Sequence, residues 1–117
     1  MAMTHVEKYT FGKIVVDGRE YHRDLIITPR RIIPNWWRRK GHDLSIEDLE
    51  EALTDGFSIL VVGTGYHGFM NVSSKVIEEL EKRGIKVIVE NSREACKIFN
   101  RLSEKGEKVA LAIHLTC

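Results

Sequence analysis

Ser58-Ile59-Leu60-Val61-Val62-Gly63-Thr64-Gly65-Tyr66-His67-Gly68 carries the strongest structural signal in the chain. Its short, unbroken, β-branched start predicts a strand covered on both faces, and the glycines behind it predict a sharp turn out of a sheet. Downstream, the spacing predicts a helix over about Val72 to Arg83, with Val72, Val76, Ile77 and Leu80 on one face and Gly84 just past its end. Ile85 to Val89 reads as another buried strand. Asn91 or Ser92 caps a helix whose Ala95, Ile98, Phe99 and Leu102 form one stripe before Gly106, and Val109 to Ile113 is a last apolar strand. Upstream, Ser45 caps a helix with Ile46, Leu49 and Leu53 on one face, stopped by Asp55-Gly56. From residue 58 onward the order is strand, helix, strand, helix, strand. That alternation argues a largely parallel sheet with helices packed on its faces.

The first forty residues have a different rhythm. Lys8 to Ile27 favours strands, and Asp17-Gly18 between two such runs predicts a hairpin, because a tight primed turn needs positive φ. The second run, Tyr21 to Ile27, ends at Thr28-Pro29. Arg31 to Trp37 follows as an edge or irregular strand, since Pro34 cannot donate to a ladder. With 117 residues, 43% of them hydrophobic, and no linker, repeat or low-complexity segment, residues 1–117 are expected to form a single α/β domain. Its N-terminal strands either extend the mostly parallel, helix-flanked sheet of the C-terminal βαβαβ half or form a small antiparallel layer of their own.

Eighteen basic residues against seventeen acidic leave a formal charge of +1, which excludes a global field that would recruit nucleic acid or anionic lipid. No apolar run approaches the roughly 20 residues a membrane span needs. Met1 to Thr10 lacks the apolar core of a signal peptide. Two cysteines, Cys96 and Cys117, are too few for a disulfide scaffold and fit a reducing, cytoplasmic compartment.

Gly63 to Gly68 is a literal G-x-G-x-x-G behind a predicted strand, and Glu90 stands where a ribose-binding acid would. Glycines let a backbone approach phosphate while free amides point at the charge, so Gly63, Thr64, Gly65, Tyr66, His67 and Gly68 are candidate ligand-binding residues. Against this, there is only one βαβαβ half, and Met70-Asn71-Val72-Ser73 starts the helix later than the fingerprint requires. Glycine used for backbone sterics is the preferred reading. His67 has an imidazole suited to acid, base or phosphate contact but no nucleophile beside it in sequence, and no catalytic residue is assigned. His5, His22, His42, His67 and His114 are scattered without ligand spacing, so no metal site and no cofactor are expected. Cys96 lies on an apolar helix stripe and reads as a small buried hydrophobe.

Pro29 to Lys40 concentrates five cations around Trp36 and Trp37. Arginine over indole is an ingredient of single-strand nucleic-acid contact, yet tryptophan more often anchors a core or a protein interface. With net charge near zero, Trp36, Trp37 and Arg38 are read as candidate interface anchors, and nucleic-acid binding through Arg30 to Lys40 ranks last.

Val62-Gly63-Thr64-Gly65, the Phe99-Asn100-Arg101-Leu102 stretch and the His114-Leu115-Thr116-Cys117 end make the chain resemble the adipogenesis-associated domain proteins, of which the mitochondrial complex I assembly factor is a more distant branch. The likeness takes in Trp36 to Arg38 and Leu44 to Leu53, so it covers nearly the whole chain. It implies a three-layer fold with a small antiparallel layer and at least one antiparallel strand in the central sheet. It implies roles in differentiation or assembly rather than a reaction. The family does not require glycine at position 68, and no mitochondrial presequence is read here, so the organelle role is not carried over. The expected function is a non-catalytic cytoplasmic binding or assembly module with a protein partner, with self-association open. The alternative is a small-ligand or phosphate-binding protein using the Gly63 to Gly68 turn.

Overall fold

Asp17 and Gly18 both take left-handed backbone angles, φ 49° and 81°, and join β2 (Lys13–Val16) to β3 (Arg19–Tyr21) in the expected hairpin. A second turn, at Phe11-Gly12, connects β1 (Val6–Thr10) to β2, so the N-terminal layer is a three-stranded antiparallel sheet of order β1-β2-β3. The computed structural model describes residues 4 to 117. Met1 to Met3, which belong to the expected single domain and to the stretch searched for an export signal, lie outside the described residues.

The run Tyr21 to Ile27, expected as one strand, divides between two sheets. β3 stays exposed at the edge of the small sheet, whereas β4 (Leu25–Ile27) is buried at all three positions and pairs antiparallel with β8 (Val109–Ile113). Three consecutive apolar residues need cover on both faces, which the small sheet cannot provide. The chain crosses over at Asp24, whose carboxylate is held by Arg38 and by His114 and Leu115 just after β8. β5 (Ile32–Ile33) is the short edge strand anticipated before Pro34.

The large sheet has order β5-β4-β8-β6-β7, with β6 (Ile59–Gly63) parallel to both β8 and β7 (Lys86–Glu90) and the β4 pairings antiparallel. It is mixed, as expected. The expectation that residues 85 to 89 form a buried strand fails: β7 is an edge, with Lys86, Val89 and Glu90 exposed. The reason is topological. The chain steps outward from β6 to β7 and then returns past β6 to β8, which leaves β7 outermost. Right-handed crossovers in opposite directions also put their helices on opposite faces.

Accordingly, Val76 and Leu80 of α2 (Ser74–Lys82) pack on one face with Leu60, Val62, Ala110, Ala112 and Trp36. Ala95, Cys96 and Phe99 of α3 (Ser92–Glu104) pack on the other with Val61, Leu111 and Ile113, joined by Val6, Ile14 and Val16 of the small sheet. α2 begins two residues later than expected because the Ser73 side chain accepts from the Val76 amide at 3.3 Å, which leaves Val72 half-buried ahead of the cap. Asn91 caps α3 in the same way, accepting from the Glu94 amide at 3.0 Å. The helix expected after Ser45 is a 3₁₀ turn, Ile46–Leu49, running into the single turn α1 (Glu50–Leu53). Among the described residues no helix is long and apolar enough to cross a membrane.

Candidate functional site

The loop leaving β6 turns its amides onto its own chain. Gly65 N donates to Ser92 Oγ at 2.8 Å, and that hydroxyl donates to the His114 carbonyl at 2.6 Å. Tyr66 N donates to the Thr116 carbonyl at 2.6 Å, Phe69 N to the Cys117 carbonyl at 3.0 Å, and Gly68 N to the Gly65 carbonyl at 3.2 Å. Thr64 uses both its amide and its hydroxyl on the Glu90 carbonyl. The tail behind β8 thus takes up the Tyr66 and Phe69 amides. Gly65 shows this most sharply: with φ +111°, an added Cβ would lie 2.2 Å from the Cys117 carbonyl carbon. At Gly63 it would lie 2.9 Å from both Ser92 Oγ and Ile113 Cγ1. These two glycines permit backbone contact, and α2 starts well beyond Gly68. Gly68 itself has positive φ, +76°, in roomier surroundings.

Around this loop the aromatic side chains collect. Tyr66 and His67 meet edge-on at 5.1 Å between centroids, Phe11 approaches Tyr66 at 6.1 Å and His67 at 6.3 Å, and Phe69 lies 5.9 Å from His67. Arg93 lies over Tyr66 at 4.7 Å. Phe11 is 54% exposed and Phe69 67%, so the cluster presents apolar rings to the outside. Phe11 joins from the β1–β2 turn, a neighbour that sequence distance conceals.

Trp36, Trp37 and Arg38 do not share a surface. Trp36 is 8% exposed and its indole N–H donates to the Asp48 carbonyl at 2.8 Å. Arg38 is 7% exposed, with its guanidinium over the Trp36 ring at 4.6 Å. Trp37, between them, is 77% exposed.

Arg38 reaches a buried network that the sequence reading missed. Arg38 Nη2 donates to Asp24 Oδ2 at 2.8 Å and Nε to the Gly41 carbonyl at 3.0 Å. His114 Nδ1 stands 2.7 Å from the same Asp24 Oδ2, and the Leu115 amide donates to Asp24 Oδ1 at 2.8 Å. His114 Nδ1 and Arg38 Nη2 lie 3.1 Å apart because both donate to one oxygen. Burial pushes the Asp24 carboxyl upward, but hydrogen bonds from His114, the Leu115 amide and Arg38 outweigh it and hold the group below its ordinary value. Of this network Asp24 and His114 line a cleft of about 610 Å³, together with Arg23, Asn35 and Trp37, while Arg38 is not part of its lining. A carboxyl inside a strand-forming run and a histidine directly after an all-apolar strand were the available signals.

Among the described residues, no three His, Cys, Asp or Glu side chains gather into a metal-holding group. Cys96 is buried on α3, and burial pushes its thiol up to about 12. Burial therefore holds Cys96 in its unreactive thiol form near neutral pH. A chromogenic disulfide reagent is therefore expected to titrate one thiol rapidly in the native protein, Cys117, and two after denaturation. Two fast native equivalents would refute the burial of Cys96.

The profile of a family described as "Protein of unknown function (DUF498/DUF598)" matches residues 6–114. NADH dehydrogenase (ubiquinone) 1 alpha subcomplex assembly factor 3 of Danio rerio is 31% identical over 115 residues, covering 96% of this chain and 64% of the relative. The Homo sapiens protein of the same name is 26% identical over 112 residues, covering 93% and 59%. The chain thus spans less than two thirds of the length of these relatives. The crystal structure of the conserved hypothetical protein PH1505 from Pyrococcus horikoshii OT3 superposes with a TM-score of 0.80 at 31% identity, over 96% of this chain and 98% of that one.

Proposed function

The chain belongs to the DUF498/DUF598 family, and we propose that it acts as a non-catalytic binding module in the assembly of a larger protein complex. The relatives named as assembly factors support that reading, as does the narrower resemblance to the adipogenesis-associated domain proteins. Two unpaired cysteines suit a reducing compartment such as the cytoplasm. Ser92 Oγ is spent on the His114 carbonyl rather than on its ring, so His114 and Ser92 form no nucleophile-and-base pair.

The observation that carries the proposal is Trp37. A large amphipathic ring is held out of the protein by two flanking residues locked inside it, so little conformational freedom remains to be lost when a partner covers it. Phe11, Tyr66 and Phe69 extend the apolar surface around the same end of the molecule, where the β6 loop and the β8 tail meet.

Trp37→Ala is expected to weaken the partner at least tenfold, in keeping with the roughly 2 kcal/mol or more that a buried interface tryptophan contributes. The denaturation midpoint should not move, because the ring packs against little in the free protein. Affinity purification at native expression, followed by mass spectrometry, compares the two chains. An unchanged set of partners removes Trp37 from the binding surface, and the absence of any reproducible partner removes the assembly role.

A further inference from the structure

We propose that the outer edge of β7 pairs antiparallel with the same edge of a second copy of this chain, joining the two large sheets into one across a two-fold axis at Ile88.

The backbone of β7 is half unused. Lys86 N donates to the Ser58 carbonyl and the Glu90 carbonyl accepts from Thr64 N, so the alternation of a parallel ladder turns the backbone groups of Lys86, Ile88 and Glu90 toward β6. Those of Val87 and Val89 face away from the sheet. Proteins ordinarily blunt such an edge with shortness, proline, a bulge or a covering segment. The opposite edge follows that rule, because β5 has two residues and stops before Pro34. β7 is five residues long, contains neither proline nor glycine, and keeps unbroken register with β6. Val89 on it is 37% exposed.

The order of side chains says what this edge fits. Lys86-Val87-Ile88-Val89-Glu90 is its own complement when one copy is reversed. Setting Val87 opposite Val89 of the second copy lets each such pair exchange both of its N–H···O bonds, and these are the residues whose backbone groups are free. The same register places Ile88 against Ile88 on the axis and Lys86 against Glu90 at either end. By alternation those three residues share one face, the face on which Ile88 packs with the α3 cluster. Lys86 and Glu90 are exposed, and no ion pair among the described residues uses either. On the other face Val87 meets the exposed Val89 of the second copy. A slipped register would set Lys86 or Glu90 opposite Ile88 and lose the charge match.

The pairing is independent of the assembly reading, since β7 lies across the large sheet from β5 and the Trp37 segment behind it. Sedimentation equilibrium of the full-length chain from about 1 to about 500 μM is the test, a range suited to a contact smaller than a standard interface. The mass should rise from 13.5 kDa toward twice that value. Lys86→Glu and Glu90→Lys each put like charges opposite one another at both ends, and each should weaken the dimer about tenfold or more. The two combined restore opposite charges and should return the constant to within about threefold of the parent's. Trp37→Ala should leave it unchanged. In the parent, hydrogen exchange at the Val87 and Val89 amides should slow as concentration rises, and this still decides if a charge variant fails to fold. A chain that stays monomeric overturns the proposal and leaves the edge to a foreign strand. So does a dimer that resists both single variants, one that the combined variant does not restore, or exchange at Val87 and Val89 that is indifferent to concentration.

Discussion

Gly65→Ala is expected to lower the unfolding free energy by about 3–5 kcal/mol, the combined effect of a side chain at positive φ and of forced overpacking. With φ at +111°, an alanine there is strained before any contact is considered. Its methyl would then lie 2.2 Å from the Cys117 carbonyl carbon and 2.8 Å from the Thr116 oxygen, and these are backbone atoms that cannot turn aside. Either the loop or the tail must move. The bonds lost first are those from Tyr66 N to Thr116 and from Phe69 N to Cys117. Chemical denaturation measures the loss, and faster hydrogen exchange at the Tyr66 and Phe69 amides locates it. Gly106→Ala is the control, since Gly106 has a similar positive φ of +82° but open space around it, and about 1 kcal/mol is expected there. A Gly65 variant within 0.5 kcal/mol of the parent would show that the tail does not seat against the loop.

Arg38→Met should cost about 3–5 kcal/mol at pH 7, the usual result of removing one member of a buried ion pair and leaving the other uncompensated. Both side chains qualify, at 5% exposure for Arg38 and 15% for Asp24. The pH dependence supplies a second readout. Asp24 titrates below its ordinary 3.8 when folded, so its contribution is fully present above that value and is lost as pH falls through the folded one. Without Arg38 the carboxyl moves back up, and the variant loses less than the parent does on acidification below about pH 4. The stability curves of parent and variant should therefore converge toward acid. Parallel curves from pH 7 to pH 2.5 would mean that Arg38 acts through packing on Trp36 alone.

Local chemistry made much of the fold readable. Asp17-Gly18 marked a turn that needs two left-handed residues, Asn91 a helix cap, and Val109 to Ile113 a strand apolar at every position. What stayed hidden was set by chain path. Val87-Ile88-Val89 in β7 reads like the branched run of β6, and the return of the chain past β6 leaves β7 at the edge. Asp24 has partners 14 and 90 residues away, so no window along the chain contains the network. Of the candidate anchors, Trp36 and Arg38 point inward and Trp37 outward, the alternation of an extended segment, so the composition of that stretch was visible but its division between core and surface required position-by-position reading. The glycine motif was legible as a turn; that its amides serve the residues after β8 was not.

The middle place in the large sheet belongs to β8, between β4 and β6. During synthesis the segments that will flank it emerge first, as two separate halves with apolar edges and a gap the width of one strand. Neither can close on the other until residues 109 to 113 clear the ribosome, and the register Leu25↔Ile113 then spans most of the chain in one step. Newborn copies thus pass through an interval of exposed strand edges that closes only when residues 109 to 113 pair with both halves.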